Sequence, residues 1–455
     1  MKRKLVSVLL TAAMTTALIS GCATDKETAV TQSNDASIAT TDSKVEEKSQ
    51  TSEFSGDLTV LTHRTDLIDT KFAEYKKEFE ARYPEVTIKY EAITDYENDV
   101  AIRMGTKDYG DVLMLPNSVP SNEFADYYEP LGSVEELSQK YKEEFLNAKI
   151  SQGQVYGLAS CANAQGVVYN KRICFKEAGV TEVPKTPEEF LDALQKIKDN
   201  TDAVPYYTNY AAGWTLTAWE DHAWGSVTGD ANYHNNVIIH EKNPFKEGTS
   251  HYTVYKLLYD IVSKGLCEQD PVTTDWEQSK VMLNNGEIGC MMLGSWSISQ
   301  MKGAGSKGDD IGYMPFPTNI NGVQYATAGA DYCFGINVNS QQKELARAWI
   351  DFMVDESGFA LSEGSISILK NDPLPDTLKD FAEVTFIVDE PATAENEGLF
   401  DELSNTSEVS LYTDVEKKRI VEAAMGNTNE SFDDIMNDWN EKWAEGQKEL
   451  DIAVE

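Results

Sequence analysis

The sequence predicts an α/β fold of two lobes, each a doubly wound sheet flanked by helices. The length favours two lobes, because residues 56–455 exceed what one hydrophobic core usually serves. The first elements follow the order strand, helix, strand, which is typical of a doubly wound sheet. A continuous apolar run at residues 111–116 resembles a strand that is buried on both faces of such a sheet.

The first lobe begins with two strands and a helix between them. Residues 58–62 are a short apolar strand, and residues 86–93 alternate in the manner of a second strand. The helix between them ends at Pro84. Its aromatic side chains recur at helical spacing: Phe72, Tyr75, Phe79 and Tyr83. Because ligands bind beyond the carboxyl ends of strands in such sheets, we expect the loops at residues 63–66 and 116–118 to face a ligand.

Strands and helices continue through the second half of the chain. Residues 167–169 and 288–293 are predicted strands, and Thr186 is a predicted N-cap with Pro187 in the first helical turn. One C-terminal helical stripe contains Phe432, Ile435, Met436, Trp439 and Trp443. We expect these two tryptophans to pack against a lobe and not to touch ligand.

Residues 1–22 have the layout of a lipoprotein signal peptide. Lys2, Arg3 and Lys4 precede an uncharged apolar run, residues 5–19, which is short for a membrane span. The run leads into Ser20-Gly21-Cys22, which resembles a bacterial lipobox, and this resemblance implies lipidation of Cys22. The alternative is an ordinary cleaved signal with a cysteine there by chance.

Residues 23–55 are polar and contain scarcely a large apolar side chain. Such a segment cannot bury enough surface to fold, so we expect a disordered tether. No later segment has the apolar length of a membrane span. The expected location is therefore extracytoplasmic, with the domain lipid-anchored to the outer face of the cell membrane.

Charge and cysteine content limit the function further. The formal net charge of −37 argues against nucleic-acid binding and against adhesion to anionic lipid.

Five cysteines besides Cys22 show no metal-type spacing, and we interpret them as buried thiols, with one disulfide of undetermined pairing left open. They are Cys161, Cys174, Cys267, Cys290 and Cys333. No cofactor or metal site is predicted.

Five segments, in a fixed order, carry a resemblance to a known family. They are residues 79–86, 109–112, 166–171, 285–296 and 335–337, and the fourth of these, ending in Gly294-Ser295-Trp296, is the most specific. Together the segments resemble the extracellular solute-binding proteins of bacterial ABC importers, in the carbohydrate-binding group related to maltose-binding protein.

The resemblance implies a two-lobed periplasmic-binding-protein-like fold with a ligand cleft between the lobes. Its chain would cross between the lobes near Cys161, near Ala328 and at residues 371–375. The boundaries would place residues 56–161 plus 326–372 in lobe 1 and residues 162–325 plus 373–455 in lobe 2. The resemblance also implies a monomer without catalytic activity, which closes around a sugar or oligosaccharide and delivers it to ABC permease transmembrane subunits.

Sugar sites combine an aromatic platform with short polar side chains. The resemblance makes Trp296 the first candidate for the platform, the alternative being a core tryptophan beneath the cleft. Trp214, Trp219 and Trp224 follow one another at intervals of five, so they do not share one helical stripe. At least one should line the cleft, with Trp214 favoured, and Asp221 is a candidate hydrogen-bond acceptor beside them.

Polar candidates lie near the expected crossings and in the first loops. Asp331 and Tyr332 are expected to reach ligand, although Asp331 could instead be a hinge carboxylate that accepts from backbone amides. Asn163 and Asn117 could supply amides. The remaining candidates are the first-loop residues His63 and Arg64, of which Arg64 could alternatively pair with a surface acid.

Two other functions remain open at this level. A secreted glycoside hydrolase would also use aromatic residues together with two carboxylates. A binding lipoprotein for a peptide or a polyamine would suit the acidic charge, whereas the Trp-rich central segment favours sugar. The sequence contains no HExxH, GxSxG or Walker phosphate loop, which argues against several other enzyme classes.

Overall fold

The computed structural model describes residues 54–455 apart from 95 and 117. The predictions for Cys22, for most of the tether and for Asn117 therefore lie outside the described residues. Within the described range we find no helix that combines the length and apolarity needed to cross a bilayer.

The strands run in chain order from β1 to β14. They are β1 (Gly56–Thr62), β2 (Val86–Ala92), β3 (Val112–Met114), β4 (Gly132–Ser133), β5 (Ile150–Ser151), β6 (Gln154–Val155), β7 (Leu158–Ala159), β8 (Ala162–Asn170), β9 (Val204–Tyr206), β10 (Ile288–Gly294), β11 (Ile311–Met314), β12 (Tyr325–Ala330), β13 (Cys333–Ile336) and β14 (Thr385–Ile387).

The α-helices run from α1 to α15, with short 3₁₀ and π turns between some of them. They are α1 (Lys71–Arg82), α2 (Tyr96–Met104), α3 (Phe124–Tyr127), α4 (Val134–Leu137), α5 (Glu143–Leu146), α6 (Pro187–Asn200), α7 (Ala218–Asp221), α8 (Ser250–Ser263), α9 (Trp276–Asn285), α10 (Ser297–Gly303), α11 (Lys343–Asp355), α12 (Phe359–Ser362), α13 (Leu399–Ser407), α14 (Val415–Ala424) and α15 (Phe432–Glu449).

The first sheet has five strands in the order β2-β1-β3-β13-β7. β1 pairs in parallel with β2 and β3, as the strand–helix–strand order predicts. β13 joins antiparallel to β3, although it comes more than 200 residues later in the chain. α1 covers the sheet through buried Phe72, Tyr75 and Phe79, which confirms the predicted aromatic face.

The second sheet is built around the nine-residue strand β8, in the order β14-β12-β8-β10-β9, with β11 also paired to β8. β10 is buried along its whole length and runs antiparallel to β8 but parallel to β9. Its carboxyl end delivers the chain to Ser295 and Trp296. The sheet therefore places the predicted aromatic turn at the end of a central strand.

The chain passes between the two sheets three times, and the third passage leads from β13 to β14 through residues 337–384. The first two passages are adjacent short segments. Ser160 and Cys161 connect β7 to β8, and Asp331 and Tyr332 connect β12 back to β13. The segments are hydrogen-bonded side by side, because Ser160 N donates to Tyr332 O at 3.0 Å and Asp331 N donates to Cys161 O at 2.9 Å. Ala328 lies inside β12, opposite Ala164, so the second passage comes a few residues later than the sequence suggested.

The C-terminal helix packs as predicted. Ser431 forms a capping box with Asp434 at the N-terminus of α15. Trp439 and Trp443 are fully buried in the core beside the second sheet, which confirms that they pack against a lobe. The predicted N-cap of α6 is also confirmed, since the Thr186 hydroxyl accepts from Glu189 N at 3.2 Å.

The five cysteines in the described part of the chain are free thiols. Cys161, Cys174, Cys290 and Cys333 are buried, and Cys267 is half-buried. Burial is the largest cause that raises their thiol pKa values, to about 12 for Cys333. They therefore act as small apolar core residues in the folded chain.

Candidate functional site

Two cavities meet at Trp296 and Asp331, beside the segments that connect the sheets. The first cavity has a volume of about 360 Å³ and the second about 330 Å³, and both residues line both cavities. The shared residues make the cavities two halves of one cleft. The sizes fall at the lower end of the range typical of small-molecule sites.

The first cavity brings together six of the predicted residues. They are His63, Arg64, Trp214, Trp296, Asp331 and Tyr332. Seven further residues complete its lining and were not predicted: Met114, Ser160, Cys161, Gln300, Phe359, Glu363 and Ser365.

The second cavity contains Asn163, Asp221 and Trp224 together with the shared Trp296 and Asp331. The sequence analysis missed its other lining residues, which are Gln165, His234, Thr327, Ala328, Gly329, Ala330, Asp389 and Tyr412. Gln165 could have been suspected from the sequence, because it is a long polar side chain within the mostly apolar β8. No sequence pattern pointed to His234, Asp389 or Tyr412. His234 and Asp389 are 155 positions apart, and a contact between such distant residues depends on tertiary packing.

The position of Trp296 follows from the end of β10. Trp296 immediately precedes α10, and its indole lies over the backbone of Gly294. A Cβ on Gly294 would lie 2.5 Å from Trp296 Nε1 and 3.2 Å from Gln165 Oε1. The absence of a side chain at Gly294 is therefore what lets the indole occupy the junction between the cavities.

Trp296 is one of three tryptophans in mutual contact. Its ring centroid lies 5.7 Å from that of Trp214 and 5.9 Å from that of Trp276, and Trp214 and Trp276 are 5.0 Å apart, edge to face. Trp214 is 49 % exposed, so one face of the cluster is open to solvent. Trp276, at the start of α9, supports the other two rings and was not predicted. Such an aromatic surface suits the apolar C–H face of a sugar.

Asp331 is fixed by a polar network at the passage between the sheets. Its Oδ1 accepts from the Tyr332 backbone N–H at 2.7 Å, and its Oδ2 accepts from Asn163 Nδ2 at 2.8 Å. Asn163 Oδ1 in turn accepts from the hydroxyls of Ser295 and Ser365, each at 3.0 Å. Asp331 therefore combines the two roles considered for it, as a cavity residue and as an acceptor for a hinge amide.

His63 and Tyr332 form an aromatic pair in the wall of the first cavity. Their ring centroids are 4.2 Å apart, and the Tyr332 hydroxyl donates to Glu97 Oε1 at 2.9 Å. Burial lowers the pKa of His63 to about 4, assisted by the Arg64 charge and opposed by Asp331. The imidazole is thus uncharged at neutral pH, and its buried Nδ1 has no protein partner.

Arg64 lines the first cavity but is also ion-paired. Its guanidinium donates to Asp66 and to Glu363, each at 2.8 Å. The alternative considered for Arg64, a pair with an acid, is therefore present in the folded chain. The pairs hold the guanidinium at the rim and offset its charge.

Asp221 and Trp224 lie at the base of the second cavity. Burial, together with the nearby carboxyl groups of Glu220 and Asp389, raises the pKa of Asp221 to about 7. Trp224 is 2 % exposed and stacks on His234 with centroids 4.2 Å apart. It contributes to the cavity wall mainly as support for that histidine.

Trp219 does not belong to the site, which corrects its candidacy as a ligand-binding residue. It is 1 % exposed, lines neither cavity, and donates its Nε1–H to the Tyr206 hydroxyl at 3.1 Å within the core. The physical reason is its place in α7, where Trp219 points into the same core as Leu216 and Phe316. Sequence spacing alone did not reveal this orientation.

A metal centre is not formed by the described residues, among which no group of three or more His, Cys, Asp or Glu side chains has a suitable arrangement. The cleft instead offers an aromatic surface together with polar and acidic side chains.

Known proteins resemble this chain over most of its length. A family model described as bacterial extracellular solute-binding protein matches residues 65–358. A manno-oligosaccharide specific solute binding protein from Bifidobacterium animalis subsp. lactis ATCC 27673, solved with mannotriose, is 40 % identical with a TM-score of 0.80. The alignment covers 87 % of this chain and 95 % of that one.

Two further relatives extend the comparison. Another binding protein of an ABC transporter from the same Bifidobacterium strain, solved with mannobiose, is 38 % identical with a TM-score of 0.81, over 88 % of this chain and 96 % of that one. A maltotriose-binding protein of Pyrococcus abyssi (strain GE5 / Orsay) is 23 % identical over 56 % of this chain. This chain spans about half of that curated relative, 52 % of its length.

These comparisons confirm the predicted two-lobed fold and the predicted role as the substrate-binding component of an ABC transporter. Both Bifidobacterium relatives are binding proteins, as their ligand complexes show. From the family match and the identity to these relatives, the chain belongs to the bacterial extracellular solute-binding protein family.

Proposed function

We propose that this chain captures a manno-oligosaccharide outside the cell membrane and delivers it to an ABC permease without breaking a bond. The observation that carries this proposal is the position of Trp296, which projects from a central strand end into the junction of two cavities. The two relatives of about 40 % identity bind mannotriose and mannobiose. A mannosyl unit stacked on Trp296 would place its hydroxyls beside Asp331 and its neighbours.

The cleft chemistry supports a sugar over the other candidate solutes. Trp296 and Trp214 supply a flat apolar surface, and the acceptors around Asp331 suit hydroxyl donors. A peptide would require partners for its backbone N–H and C=O groups along an extended stretch, which this compact cleft does not supply.

Lobe closure follows from the way the chain passes between the sheets. We place lobe 1 at residues 56–161 plus 332–372 and lobe 2 at residues 162–331 plus 373–455. The paired segments at Cys161 and Asp331 are the hinge, because they are the short connections between the two sheets. A ligand that touches both lobes favours the closed state by its additional contacts there.

The N-terminal sequence supports attachment to the membrane. Cys22 would carry the lipid, and residues 23–55 would let a monomeric domain reach both its ligand and the permease. Replacement of Cys22 by Ser should release the chain from the membrane fraction into the medium, as measured by immunoblotting of fractionated cells.

The test of function is calorimetric titration of the detergent-solubilised full-length chain. Mannotriose should bind saturably, whereas spermidine and a tripeptide should not. Chromatography of the incubated mannotriose should show no shorter sugar. Hydrolysis products would support the glycoside hydrolase alternative, and saturable binding of spermidine or the tripeptide alone would overturn the assignment to sugar.

We expect Trp296→Ala to weaken mannotriose binding by at least about 1.5 kcal/mol, the scale of a lost aromatic stack. Ile102→Ala is the matched control, because Ile102 is a 73 % exposed apolar residue that lines neither cavity. Equal affinity of the folded Trp296→Ala variant and the wild type would remove Trp296 from the site.

A further inference from the structure

The second cavity has a hydrogen-bonding character different from that of the first. It extends beyond Trp296 and Asp331, away from His63 and Arg64, and is bounded by β8, β12 and the loop at residues 388–398. No Lys or Arg belongs to the residues that line it, whereas three carboxyl groups do: Asp221, Asp331 and Asp389.

Several polar side chains of this cavity are hydrogen-bonded to one another. Asp389 Oδ2 accepts from His234 Nδ1 at 2.5 Å. The Tyr412 hydroxyl is hydrogen-bonded to His234 Nε2. Asn163 likewise donates to Asp331.

Two acceptors, by contrast, are buried without a partner in the described structure. They are Asp389 Oδ1 and Gln165 Oε1, both on residues that line the cavity. A buried acceptor that lacks a donor is unfavourable, so these two oxygens are suited to receive hydrogen bonds from a ligand. They come from opposite sides of the cavity, one from the loop at residues 388–398 and one from β8.

The protein scaffold holds both oxygens in place. The Asp389 loop is tied to the segment at residues 231–240 by several bonds, including Glu390 N to Ala231 O at 2.8 Å and Asn235 Nδ2 to Glu390 O at 2.7 Å. Gln165 lies in β8 directly opposite Gly294, next to the indole of Trp296. An acceptor pair on fixed backbone selects a ligand by the position of its donors.

We propose that the second cavity is a subsite for an uncharged sugar residue, whose hydroxyls donate to Asp389 and Gln165, and that its carboxyl groups exclude uronic and aldonic acid residues. This inference rests on the proposed function, because it assigns one end of the bound oligosaccharide to this cavity. A neutral hexose supplies the missing donors. A sugar carboxylate would instead bring a negative charge against Asp389 and Asp331 with no cation to offset it.

The test compares three probes on the solubilised full-length chain by calorimetry. They are mannotriose, mannotriose oxidised to a uronate at the non-reducing end, and mannotriose oxidised to an aldonate at the reducing end. We expect the acid located at the end that enters the second cavity to bind at least about 30-fold more weakly than mannotriose. Equal affinity for all three probes would overturn the subsite while leaving the proposed function intact.

Two variants and a control test whether residues of this cavity cause the weaker binding of the acidic sugar. Asp389→Asn retains an oxygen for His234 and removes the charge. It should therefore reduce the ratio of mannotriose affinity to acidic-sugar affinity by at least about tenfold. Gln165→Glu adds a negative charge and should increase this affinity ratio. Glu390→Gln is the matched control, because it makes the same charge change on the neighbouring exposed residue and should leave the ratio unchanged.

The remaining outcomes are also decisive. If Asp389→Asn leaves the affinity ratio between mannotriose and the acidic sugar unchanged, the carboxyl groups of the first cavity cause the weaker binding of the acid, and the proposal is overturned. Failure of all three probes to bind the wild-type chain would refute the manno-oligosaccharide function itself, and the subsite with it. Retained mannotriose binding shows that each variant is folded.

Discussion

A single glycine controls the orientation of the main aromatic side chain. Gly294→Ala places a Cβ 2.5 Å from the present position of Trp296 Nε1, so the indole must move out of the junction between the cavities. We expect mannotriose affinity to fall about tenfold, which corresponds to about 1.4 kcal/mol. Calorimetry measures the affinity, and tryptophan fluorescence reports the displaced ring.

Gly303→Ala is the control for this substitution. Gly303 ends α10, the helix that follows Trp296, and a Cβ there meets no atom within 4 Å. Its affinity should match that of the wild type. If Gly294→Ala binds within twofold of the wild type, the close approach of Gly294 does not position the indole.

Asp221 gives the folded chain a pH dependence opposite to that of a paired carboxylate. Its pKa in the folded chain is about 7, above the ordinary value of 3.8, mainly because of burial. Between pH 4 and 7 the folded state keeps a proton that the unfolded state has lost, so this group lowers the free energy of unfolding as pH rises. Asp221→Asn removes this proton binding.

The free energy of unfolding of Asp221→Asn minus that of the wild type should therefore increase from pH 4 to pH 7, by on the order of 3 kcal/mol. Urea titrations at several pH values measure it. Burial lowers the pKa of His63 to about 4 and of His222 to about 3, which makes stability rise with pH up to about 6.5. Both histidines are common to the two proteins, so they cancel in the difference. A difference that stays flat from pH 4 to pH 7 would contradict the prediction.

At this scale the sequence predicts which residues lie near the cleft better than it predicts their orientation. Trp214, Trp296 and Asp331 were expected in the cleft and line a cavity, whereas Trp219 lies in the core. Short 3₁₀ and π turns between residues 213 and 226 change the direction of successive side chains. A helical or strand period therefore could not assign the three central tryptophans to faces.

At the scale of elements, α15 shows how a local sequence signal supports a core. Its hydrophobic stripe buries Trp439 and Trp443, and its N-terminus is closed by Ser431, whose hydroxyl accepts from Asp434 N at 3.2 Å. We expect Ser431→Ala to lower the free energy of unfolding by about 1 kcal/mol, because the cap satisfies an otherwise unpaired helix N–H. Urea unfolding followed by circular dichroism measures the loss.

Ser263→Ala is the matched control for the helix cap. Ser263 is exposed at the end of α8, where its hydroxyl makes only a 3.5 Å contact with Asp260 O. Its stability should lie within about 0.5 kcal/mol of the wild type. A Ser431→Ala variant as stable as Ser263→Ala would show that the cap does not contribute.

The sequence pattern predicted where strands lie in the chain, but it did not predict which strands pair antiparallel. The alternation at residues 86–93 and the apolar run at 288–293 correspond to β2 and β10. The antiparallel entry of β13 into the first sheet, and of β8 between β10 and β12, depends on pairing between distant segments. Local periodicity carries no information on those partners. The parallel pairs β1–β2, β1–β3, β10–β9 and β12–β14 agree with the predicted α/β fold class.

At the scale of the whole molecule, the two proposed lobes are connected both at the proposed hinge and across the opening of the cleft. The hinge pairs Cys161 with Asp331. Across the opening, the Ser121 hydroxyl, which follows β3 of the first sheet, donates to Glu397 Oε1 at 3.2 Å. Glu397 belongs to the loop at residues 388–398, the same loop that presents Asp389 to the second cavity. The proposed ligand contact and the contact between the proposed lobes thus come from one segment.

This arrangement makes Glu397 a determinant of how long the cleft stays closed. Glu397→Ala removes the hydrogen bond to Ser121, which joins the two sides of the cleft, so we expect the dissociation rate of mannotriose to rise about two- to fivefold with little change in the association rate. Stopped-flow tryptophan fluorescence measures both rates. Glu395→Ala, an exposed residue of the same loop, makes the same charge change and should leave both rates unaltered. A larger effect on association than on dissociation would mean that Glu397 acts before closure, for example by steering ligand, and not as a latch across the closed cleft.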